Sequence, residues 1–254
     1  MPVRKIPKSY TNVTGYISSD KSDDLIAYES NLEFYCFKLV LFNLNVLKCE
    51  EQPIRIQFNH TNGKERSYTP DILVTYRNDI LPFKTWKPLL IEVKPRRWLT
   101  KNWTDLVPKF RAARRFVKEK DWEFAILTER EIINPYLHNA LFLINFQKFP
   151  VNNTDTNLLL DTLKRLGETD PKTLLLNISK DQIRKGELLR TLWQLVANHR
   201  IKVNLEERLT MCSSLRPIEL TDEDAEDERI YQLRAGNCCR KRWQALRYYP
   251  PSGS

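Results

Sequence analysis

Two apolar segments that each carry an acid constrain the fold of this chain more than any other feature. Leu89–Val93 is apolar at every position except Glu92, and Lys94 follows it at once. An apolar run of this length is typical of a strand that is buried on both faces, so it belongs in the middle of a sheet. A second strand is predicted over residues 68–76, with Pro70-Asp71 near its start. The core is therefore predicted to be a sheet that carries charged side chains.

The segments around these strands predict an α/β fold with a mixed sheet. Residues 1–21 are polar and are expected to form an irregular arm. The other predicted elements of this part are a helix over 25–42 that starts at Ser22-Asp23-Asp24, a strand over 54–58, a hairpin turn at Asn62-Gly63, a helix over 105–120 and a strand over 122–127. A helix, three strands, a helix and a strand in this order indicate a layered α/β domain.

The acids on the two strands are placed to share one cation. Glu92 and Lys94 lie on one face of their strand, because side chains alternate along a strand. If the two strands pair, Asp71 reaches the same point, and two carboxylates held together repel unless a cation separates them. Such hard oxygen ligands suit Mg²⁺ or Mn²⁺, and the Val93 carbonyl would supply a further oxygen. A Pro-Asp pair followed by Glu-x-Lys is the pattern of a metal-dependent nuclease core.

Lys94 and the helical acid have separate expected roles. A lysine beside a metal and a scissile phosphate would polarise or deprotonate the attacking water, or stabilise charge on the phosphate. Glu33 lies at the edge of the apolar stripe of the first helix and would be a further metal ligand. With this additional carboxylate we expect the site to hold two metal ions. Glu29 is a rival for this position, and Glu50 and Glu51 are weaker rivals. The predicted catalytic set is Glu33, Asp71, Glu92 and Lys94, and the predicted metal ligands are Glu33, Asp71, Glu92 and Val93.

Basic side chains crowd the segment that follows Lys94. One interpretation is a solvated helix face; the other, which we favour because of the position next to the acids, is contact with DNA phosphates. Such contacts position DNA without reading its sequence. The residues predicted to make them are Arg96, Arg97, Lys109, Arg111, Arg114, Arg115 and Lys118.

Charge and cysteine content narrow the class of protein. The net charge is +9 and the pI is about 9.3, which favours a polyanionic partner, with nucleic acid ahead of an anionic membrane. Five cysteines without a C-x-x-C pair argue against a disulfide framework and against a structural zinc site. No segment approaches the roughly 18 apolar residues that span a bilayer. We therefore expect a soluble protein of the cytoplasm with no membrane partner.

The sequence changes character after about residue 154. Short segments with helical spacing are followed by weak alternation around Leu205-Glu206-Glu207, which is the order of a winged helix. Acids and then bases dominate the C-terminal residues, so a mobile tail is expected there. The predicted organisation is a catalytic domain with its arm over 1–150, a winged-helix-like α+β domain over 151–216 and a charged tail over 217–254.

Four motifs resemble those of the TnsA family of transposon-end endonucleases. Ser30-Asn31-Leu32-Glu33 is similar to the family's S-x-L-E helix motif, which selects Glu33 over Glu29. The others are the Pro-Asp strand 69–74, the Glu-x-Lys strand 91–95 and the T-E-x-E-I segment 128–132. The family carries Gln or Glu at the position of Glu92. The resemblance covers about residues 20–135 by motif.

The resemblance implies a restriction-endonuclease-like core of the PD-(D/E)xK type and a winged-helix C-terminal domain. It also implies Mg²⁺-dependent cleavage of the strand at the 5′ ends of a transposon, beside a TnsB-like recombinase that cuts the 3′ ends. A TnsC-like AAA+ ATPase would regulate both, during cut-and-paste transposition. Targeting is left open, whether RNA-guided as in CRISPR-associated transposons or protein-guided.

Two other functions fit the residues alone. A free-standing restriction or repair nuclease would use the same four side chains and would cut DNA without partners. A non-catalytic DNA- or protein-binding module would keep the fold and lose the chemistry. The intact set of three acids and one lysine favours an enzyme over such a module.

Overall fold

The computed structural model describes residues 13–60, 63–77 and 86–218. Within these residues the chain forms two compact units, the first ending at Ile133 and the second beginning at Asn134. The sequence placed this boundary at residue 150. The charged tail expected over 217–254 lies, except for its first two residues, outside the described residues. None of the helices in the described part of the chain has the length and apolar composition needed to span a bilayer.

The first unit contains a mixed four-stranded sheet with helices packed on it. Its elements are β1 (Gly15–Ile17), β2 (Ile26–Tyr28), α1 (Asn31–Phe42), β3 (Val46–Glu51), β4 (Ile56–Asn59), β5 (Glu65–Tyr68), β6 (Ile72–Tyr76), β7 (Leu89–Val93), α2 (Arg96–Glu119), β8 (Glu123–Leu127) and α3 (Glu129–Ile132). The sheet order is β3-β6-β7-β8, in which only β7 and β8 run parallel. The predicted α/β class with a mixed sheet is confirmed.

The central strand β7 is buried along its whole length, as its apolar composition predicts. The helix α2 packs against β4 and β8, and Ala113 and Val117 join Leu73 and Leu90 in one core cluster. The helix α1 packs against β3 and β7. Each fully buried aliphatic side chain of this kind contributes about 1.5–3 kcal/mol. The packing fixes the C-terminal end of β7, where Glu92 and Lys94 lie.

The start of the first helix was predicted wrongly. The helix α1 begins at Asn31, where Ser30 is the N-cap and its Oγ accepts a hydrogen bond from the Glu33 N–H. The preceding residues form β2, which pairs with β1 in a short antiparallel ladder. The acids Asp23-Asp24 resemble a first helical turn, but the pairing of β1 with β2 overrides that local signal. Residues 15–17 of the expected irregular arm are therefore a strand.

Three other elements differ from the sequence-based expectation. The predicted strand over 68–76 is two strands, β5 and β6, separated at Thr69-Pro70-Asp71, because Pro70 cannot donate to a sheet ladder. The edge strand β3 was not predicted. The helix α2 begins at Arg96 instead of residue 105. The hairpin predicted at Asn62-Gly63 is confirmed by the antiparallel pairing of β4 with β5, although Asn62 itself lies outside the described residues.

The second unit is mainly helical. Its elements are α4 (Pro135–Leu143), α5 (Asn153–Leu166), α6 (Pro171–Ile178), α7 (Gln182–Ala197), β9 (Lys202–Val203) and β10 (Leu215–Arg216). The helices α5, α6 and α7 pack on one another around Leu159, Leu174 and Leu192, which are fully buried. The helix α4 packs on α7, which explains why this unit begins before residue 150. A bridge from Thr169 to Leu215 extends the β9–β10 pair. The winged-helix assignment stays a prediction.

Candidate active site

The two predicted strand acids lie side by side on the two inner strands of the first unit's sheet, at the C-terminal end of β7. In the antiparallel pairing of β6 with β7, Ile72 is opposite Ile91, so Asp71 and Glu92 occupy the next register position. The Asp71 N–H donates to the Ile91 carbonyl at 3.2 Å. Asp71 Oδ2 in turn accepts the Val93 N–H at 2.7 Å. The backbone of one strand therefore fixes the carboxylate of the other.

The Lys94 ammonium lies where the oxygen atoms converge. Its Nζ is 3.0 Å from Asp71 Oδ2, 2.9 Å from the Val93 carbonyl oxygen and 3.5 Å from Glu92 Oε1. The Lys94 N–H donates to the Leu127 carbonyl at 3.0 Å, which ties the end of β7 to β8. The Lys94 ammonium is thus in direct contact with the Asp71 and Glu92 carboxylates and with the Val93 carbonyl. The sequence predicted that these groups act together.

Glu92 is almost fully buried and is held by two residues besides Lys94. The Tyr68 hydroxyl donates to Glu92 Oε2 at 2.6 Å, and Lys109 Nζ donates to Glu92 Oε1 at 2.9 Å. The Lys109 ammonium also lies 4.6 Å from the centroid of the Tyr68 ring and 4.9 Å from that of Phe110. Both oxygens of Glu92 are therefore positioned by charged or hydrogen-bonded partners, as a buried carboxylate requires.

The cluster is strongly coupled electrostatically. Burial raises the pKa of Asp71 to about 7, and the Glu92 carboxylate adds to the rise while the Lys94 ammonium opposes it. Burial would also raise the pKa of Glu92, but the Lys94 and Lys109 ammonium groups and the Tyr68 hydrogen bond outweigh it and lower that pKa. The pKa of Lys94 is raised, because Asp71 and Glu92 outweigh the cost of its burial. Glu92 and Lys94 are therefore both charged near neutral pH.

Glu33 is part of the same electrostatic neighbourhood and is also a capping residue. Its Oε2 accepts the Glu29 N–H at 2.8 Å, and its Oε1 accepts the Ser30 hydroxyl at 3.1 Å. Burial raises the pKa of Glu33, whereas the Lys94 ammonium lowers it. The Glu33 carboxylate raises the pKa of Asp71 in return. The Glu33 carboxylate is therefore held by the start of its own helix, and its role as a metal ligand stays a prediction.

The rival acids have other contacts. Glu51 Oε2 accepts the Ala27 N–H, and burial raises the pKa of Glu51 to about 7. Glu50 forms an ion pair with Lys48 at 3.1 Å. Glu29 Oε1 accepts a hydrogen bond from the Gln52 amide at 3.4 Å. The choice of Glu33 over these acids stays a prediction that rests on the S-x-L-E motif.

The oxygen atoms around Lys94 fit a bound cation. Both Asp71 oxygens, the Val93 carbonyl and Glu92 Oε1 lie within 3.5 Å of a positively charged nitrogen. The ammonium thus stands in for the kind of ion that a hard oxygen set prefers. Within residues 13–60, 63–77 and 86–218, no three His, Cys, Asp or Glu side chains are grouped closely enough to hold an ion by themselves. The set that fits is therefore two carboxylates and a backbone carbonyl.

The residues predicted to contact DNA do not share one environment. Lys109 is half-buried and contacts Glu92, so it belongs to the acid cluster. Arg96 is half-buried at the start of α2, where its N–H donates to Glu129 Oε2 at 2.8 Å. The other five are exposed along α2: Arg97, Arg111, Arg114, Arg115 and Lys118. Their contact with DNA stays a prediction.

Two features of the site escaped sequence reasoning. Tyr68 was assigned only to a strand, although an acid in an apolar segment needs a buried donor and a tyrosine is a suitable one. The T-E-x-E-I segment proves to be a capping box, in which Thr128 caps α3 and its N–H and hydroxyl donate to Glu131. Glu129 of the same segment anchors the start of α2. This motif therefore supports the backbone around the site.

Two family models match the chain. The model described as TnsA-like endonuclease N terminal matches residues 43–129, and the model described as TnsA endonuclease C terminal matches residues 131–205. Together they cover more than half of the chain, and the first includes Asp71, Glu92, Lys94 and Lys109. A search of curated proteins gave no significant match. Since both models describe parts of one kind of enzyme in the expected order, the chain belongs to the TnsA family of endonucleases.

Proposed function

We propose that this protein is the Mg²⁺-dependent endonuclease subunit of a Tn7-like transposase and that it cleaves the strands at the 5′ ends of the transposon. The observation that carries the proposal is the convergence of Asp71, Glu92 and the Val93 carbonyl on one positive centre. The family assignment supports the endonuclease activity and its place in a transposase. The strand that is cut follows from the resemblance in the motifs.

The ion would be held by Asp71, Glu92 and the Val93 carbonyl. Glu33 is proposed as a further ligand, and a second ion is proposed beside the first. Mn²⁺ would substitute for Mg²⁺. When bound, Mg²⁺ supplies a Lewis acid that polarises the phosphoryl oxygen and lowers the pKa of an attached water. The Val93 N–H keeps the Asp71 carboxylate in its place without occupying both of its oxygens. The protein thereby contributes a rigid set of oxygen ligands at the C-terminal end of the inner strand β7.

Lys94 and the residues around Glu92 would organise the reaction. The Lys94 ammonium lies beside the oxygens that would hold the ion. It would stabilise the negative charge that develops on the phosphate oxygens. Lys109 and Tyr68 hold Glu92 from the other side, so they act as positioning residues. The aromatic rings of Tyr68 and Phe110 restrict Lys109 to this contact. Each charged group is therefore oriented before DNA binds.

We further propose that a TnsB-like recombinase and a TnsC-like ATPase are the partners, and that the second unit is a winged-helix-like domain. The acid cluster carries no means of reading base sequence, so the choice of transposon ends is assigned to the recombinase. Three packed helices, the β9–β10 pair and the bridge at Thr169 support the assignment of the second unit. A dependence of cleavage on the recombinase would distinguish this protein from a free-standing nuclease.

The central experiment is the substitution Asp71→Asn in the reconstituted transposition reaction. Asparagine keeps an oxygen that can accept the Val93 N–H, so folding should be preserved while one metal ligand loses its charge. We expect 5′-strand cleavage to fall by at least about 10²–10³-fold, as for loss of a principal electrostatic group, while 3′-strand cleavage continues. Cleavage of the 5′ strand at the wild-type rate, by Asp71→Asn or by the native protein in EDTA, would contradict the proposal.

A further inference from the structure

A basic cleft opens beside the acid cluster in the first unit. It lies between the β4–β5 hairpin and α2 and has a volume of about 560 Å³. Its lining includes Arg55, Phe58, Arg66, Asp105 and Leu106. A cleft of this size is in the range of ligand sites, which are about 300–1,000 Å³. None of the roles given above to the acid cluster accounts for it.

The hairpin places an arginine on its inner side. Phe58 and Arg66 are opposite each other in the β4–β5 ladder, and Ile56 is opposite Tyr68, so these four side chains share one face. Ile56, Phe58 and Tyr68 are buried in the core cluster that α2 completes. Arg66 continues the same face but is exposed, which puts a guanidinium at the rim of the cleft above an apolar floor.

The charge of the cleft is positive and is open to an external anion. Arg55, Arg66 and Lys109 line it, against one acid, Asp105. Among the described residues neither Arg55 nor Arg66 forms an ion pair with an acid, whereas Lys109 is paired with Glu92. Two exposed guanidinium groups on one cleft are suited to phosphate oxygens, which they can bind in a bidentate manner.

The cleft is continuous with the acid cluster through two residues. Tyr68 and Lys109 line the cleft and both contact the Glu92 carboxylate. A strand whose phosphate lies at Lys94 would therefore enter the cleft within a short distance along its backbone. The sequence suggested instead that phosphates lie along the exposed arginines of α2, and those side chains do not line the cleft.

We propose that this cleft binds the sugar–phosphate backbone of the cleaved DNA strand next to the scissile phosphate, with Arg55 and Arg66 contacting phosphates and Phe58 and Leu106 supporting the sugars. Such contacts hold the strand in register without reading bases. The inference rests on the proposed function, because it takes the acid cluster as the place of cleavage. Asp105 opposes the phosphates and limits the affinity.

The test is the salt dependence of binding by the full chain to a DNA duplex of arbitrary sequence. Each phosphate contact contributes about 0.9 to the slope of log K against log salt. We expect the slope of the double variant Arg55→Gln/Arg66→Gln to be smaller by the contribution of about two phosphate contacts. Lys101→Gln/Lys120→Gln makes the same change of charge outside the cleft, on an exposed residue of α2 and on its exposed C-cap, and should keep the wild-type slope. Asp105→Asn should tighten binding severalfold, an effect of opposite sign.

Two results would overturn the proposal. One is a wild-type slope for Arg55→Gln/Arg66→Gln; a reduced slope for Arg111→Gln/Arg115→Gln beside it would place the strand on the outer side of α2. The other is the absence of duplex binding by the native protein at low salt. All of the replaced residues are exposed, and a thermal unfolding scan confirms that each variant folds.

The outcome is separable from that of the proposed function. If the native protein cleaves the 5′ strand and the arginine variant keeps its binding slope, the cleft assignment fails and the endonuclease assignment stands. If the slope falls as expected but neither the native protein nor its complex with the recombinase cleaves in Mg²⁺, the cleft assignment stands and the endonuclease assignment fails. Asp71→Asn, which should bind with the wild-type slope and not cleave, is the reference for both.

Discussion

Each unit of the protein buries carboxylate groups, and the two units satisfy them in different ways. In the second unit, Asp155 is buried and is met by the Arg184 guanidinium, whose Nη1 lies 3.2 Å from Asp155 Oδ2. The Asn152 amide adds a hydrogen bond at 3.1 Å to the same oxygen. In the first unit, Asp71 and Glu92 share the ammonium of Lys94.

The difference lies in the cation. A guanidinium is a planar fork that matches one carboxylate and completes its hydrogen bonds, whereas an ammonium is a compact point charge. Around Lys94 the two Asp71 oxygens, the Val93 carbonyl oxygen and Glu92 Oε1 converge on one ammonium. Lys109 holds only the Glu92 carboxylate besides. The comparison indicates that the buried acid paired with arginine has a structural role. The two acids that share a lysine form a site where a metal ion can replace the ammonium.

The largest effect is expected from Lys94→Met. Removing the ammonium takes away charge stabilisation at the phosphate, so 5′-strand cleavage should fall by about 10²–10³-fold in the reconstituted reaction. The same change leaves the Asp71 carboxylate without its cation and leaves only the Lys109 ammonium beside Glu92, which makes Mg²⁺ more favourable there. We therefore expect Mg²⁺ to raise the Tm of this variant more than it raises the Tm of the native protein.

Arg184→Met is the matched control for that measurement. It removes the cation that the buried Asp155 shares with the exposed Glu187. Its Tm should be insensitive to Mg²⁺, because the exposed Glu187 side chain can turn toward water and only one carboxylate is then held in place. Equal Mg²⁺ responses of Lys94→Met and Arg184→Met would remove the distinction between the two kinds of buried acid.

The second effect concerns the stability of the second unit. Asp155→Ala leaves Arg184 without its buried partner and removes the hydrogen bond to Asn152. The free energy of unfolding should therefore fall by about 2 kcal/mol. This is less than for a fully buried pair, because the arginine is partly exposed. Urea denaturation of the single variants and of Asp155→Ala/Arg184→Ala measures the coupling. A coupling energy near zero would mean that the pair contributes nothing to stability.

The sequence predicted the acid cluster better than its surroundings, and the reason is the range of the interactions involved. Alternation along β7 put Glu92 beside Lys94, and pairing with the next strand brought Asp71 to them; both are short-range consequences of strand geometry. Tyr68 and Lys109 reach Glu92 only because α2 packs over the β4–β5 hairpin, and no local pattern encodes that packing.

The same reasoning explains the errors in the fold. Asp23-Asp24 have the composition of a first helical turn, and only the pairing of β2 with β1 shows that the chain is extended there. Ser30 was recognised as part of a motif but not as the N-cap that begins α1. The boundary between the units was placed late because α4 packs on α7, a contact between distant segments.

A third expectation uses pH to separate the units. Burial lowers the pKa of His199 to about 4, below its ordinary value of 6.5. Because the unfolded chain takes up the proton at higher pH than the folded one, this residue stabilises the fold above pH 6.5, and the stabilisation is lost as the pH falls from 6.5 to 4. Between pH 7 and 5 the loss should be about 2 kcal/mol.

The measurement compares the native protein with His199→Asn in urea at both pH values. Asparagine tolerates the positive φ of 53° at this position. The native protein should lose about 2 kcal/mol more than the variant on acidification, because only it carries the buried imidazole. Identical losses would show that the acid sensitivity arises elsewhere, for example at the acid cluster of the first unit.

The smallest effect is expected from Tyr68→Phe, which tests whether the acid cluster depends on its supporting shell. The change removes only the hydroxyl that donates to Glu92 Oε2 at 2.6 Å and keeps the ring that packs on Lys109. Loss of a residue that orients a metal ligand typically costs 10–100-fold in metal affinity or activity. Because Lys109 and Lys94 still hold the other oxygen of Glu92, we expect a loss at the lower end, about tenfold.

The readout is the Mg²⁺ concentration that gives half-maximal 5′-strand cleavage, which should rise about tenfold for Tyr68→Phe and stay unchanged for Tyr16→Phe, where the hydroxyl belongs to an exposed residue. A purely structural role for the Tyr68 hydroxyl would lower the Tm and leave the Mg²⁺ requirement as it is. A shift in the Mg²⁺ requirement with little change in Tm would instead show that Glu92 depends on a donor from the hairpin. The hairpin that forms one wall of the basic cleft would then also position a ligand of the reaction.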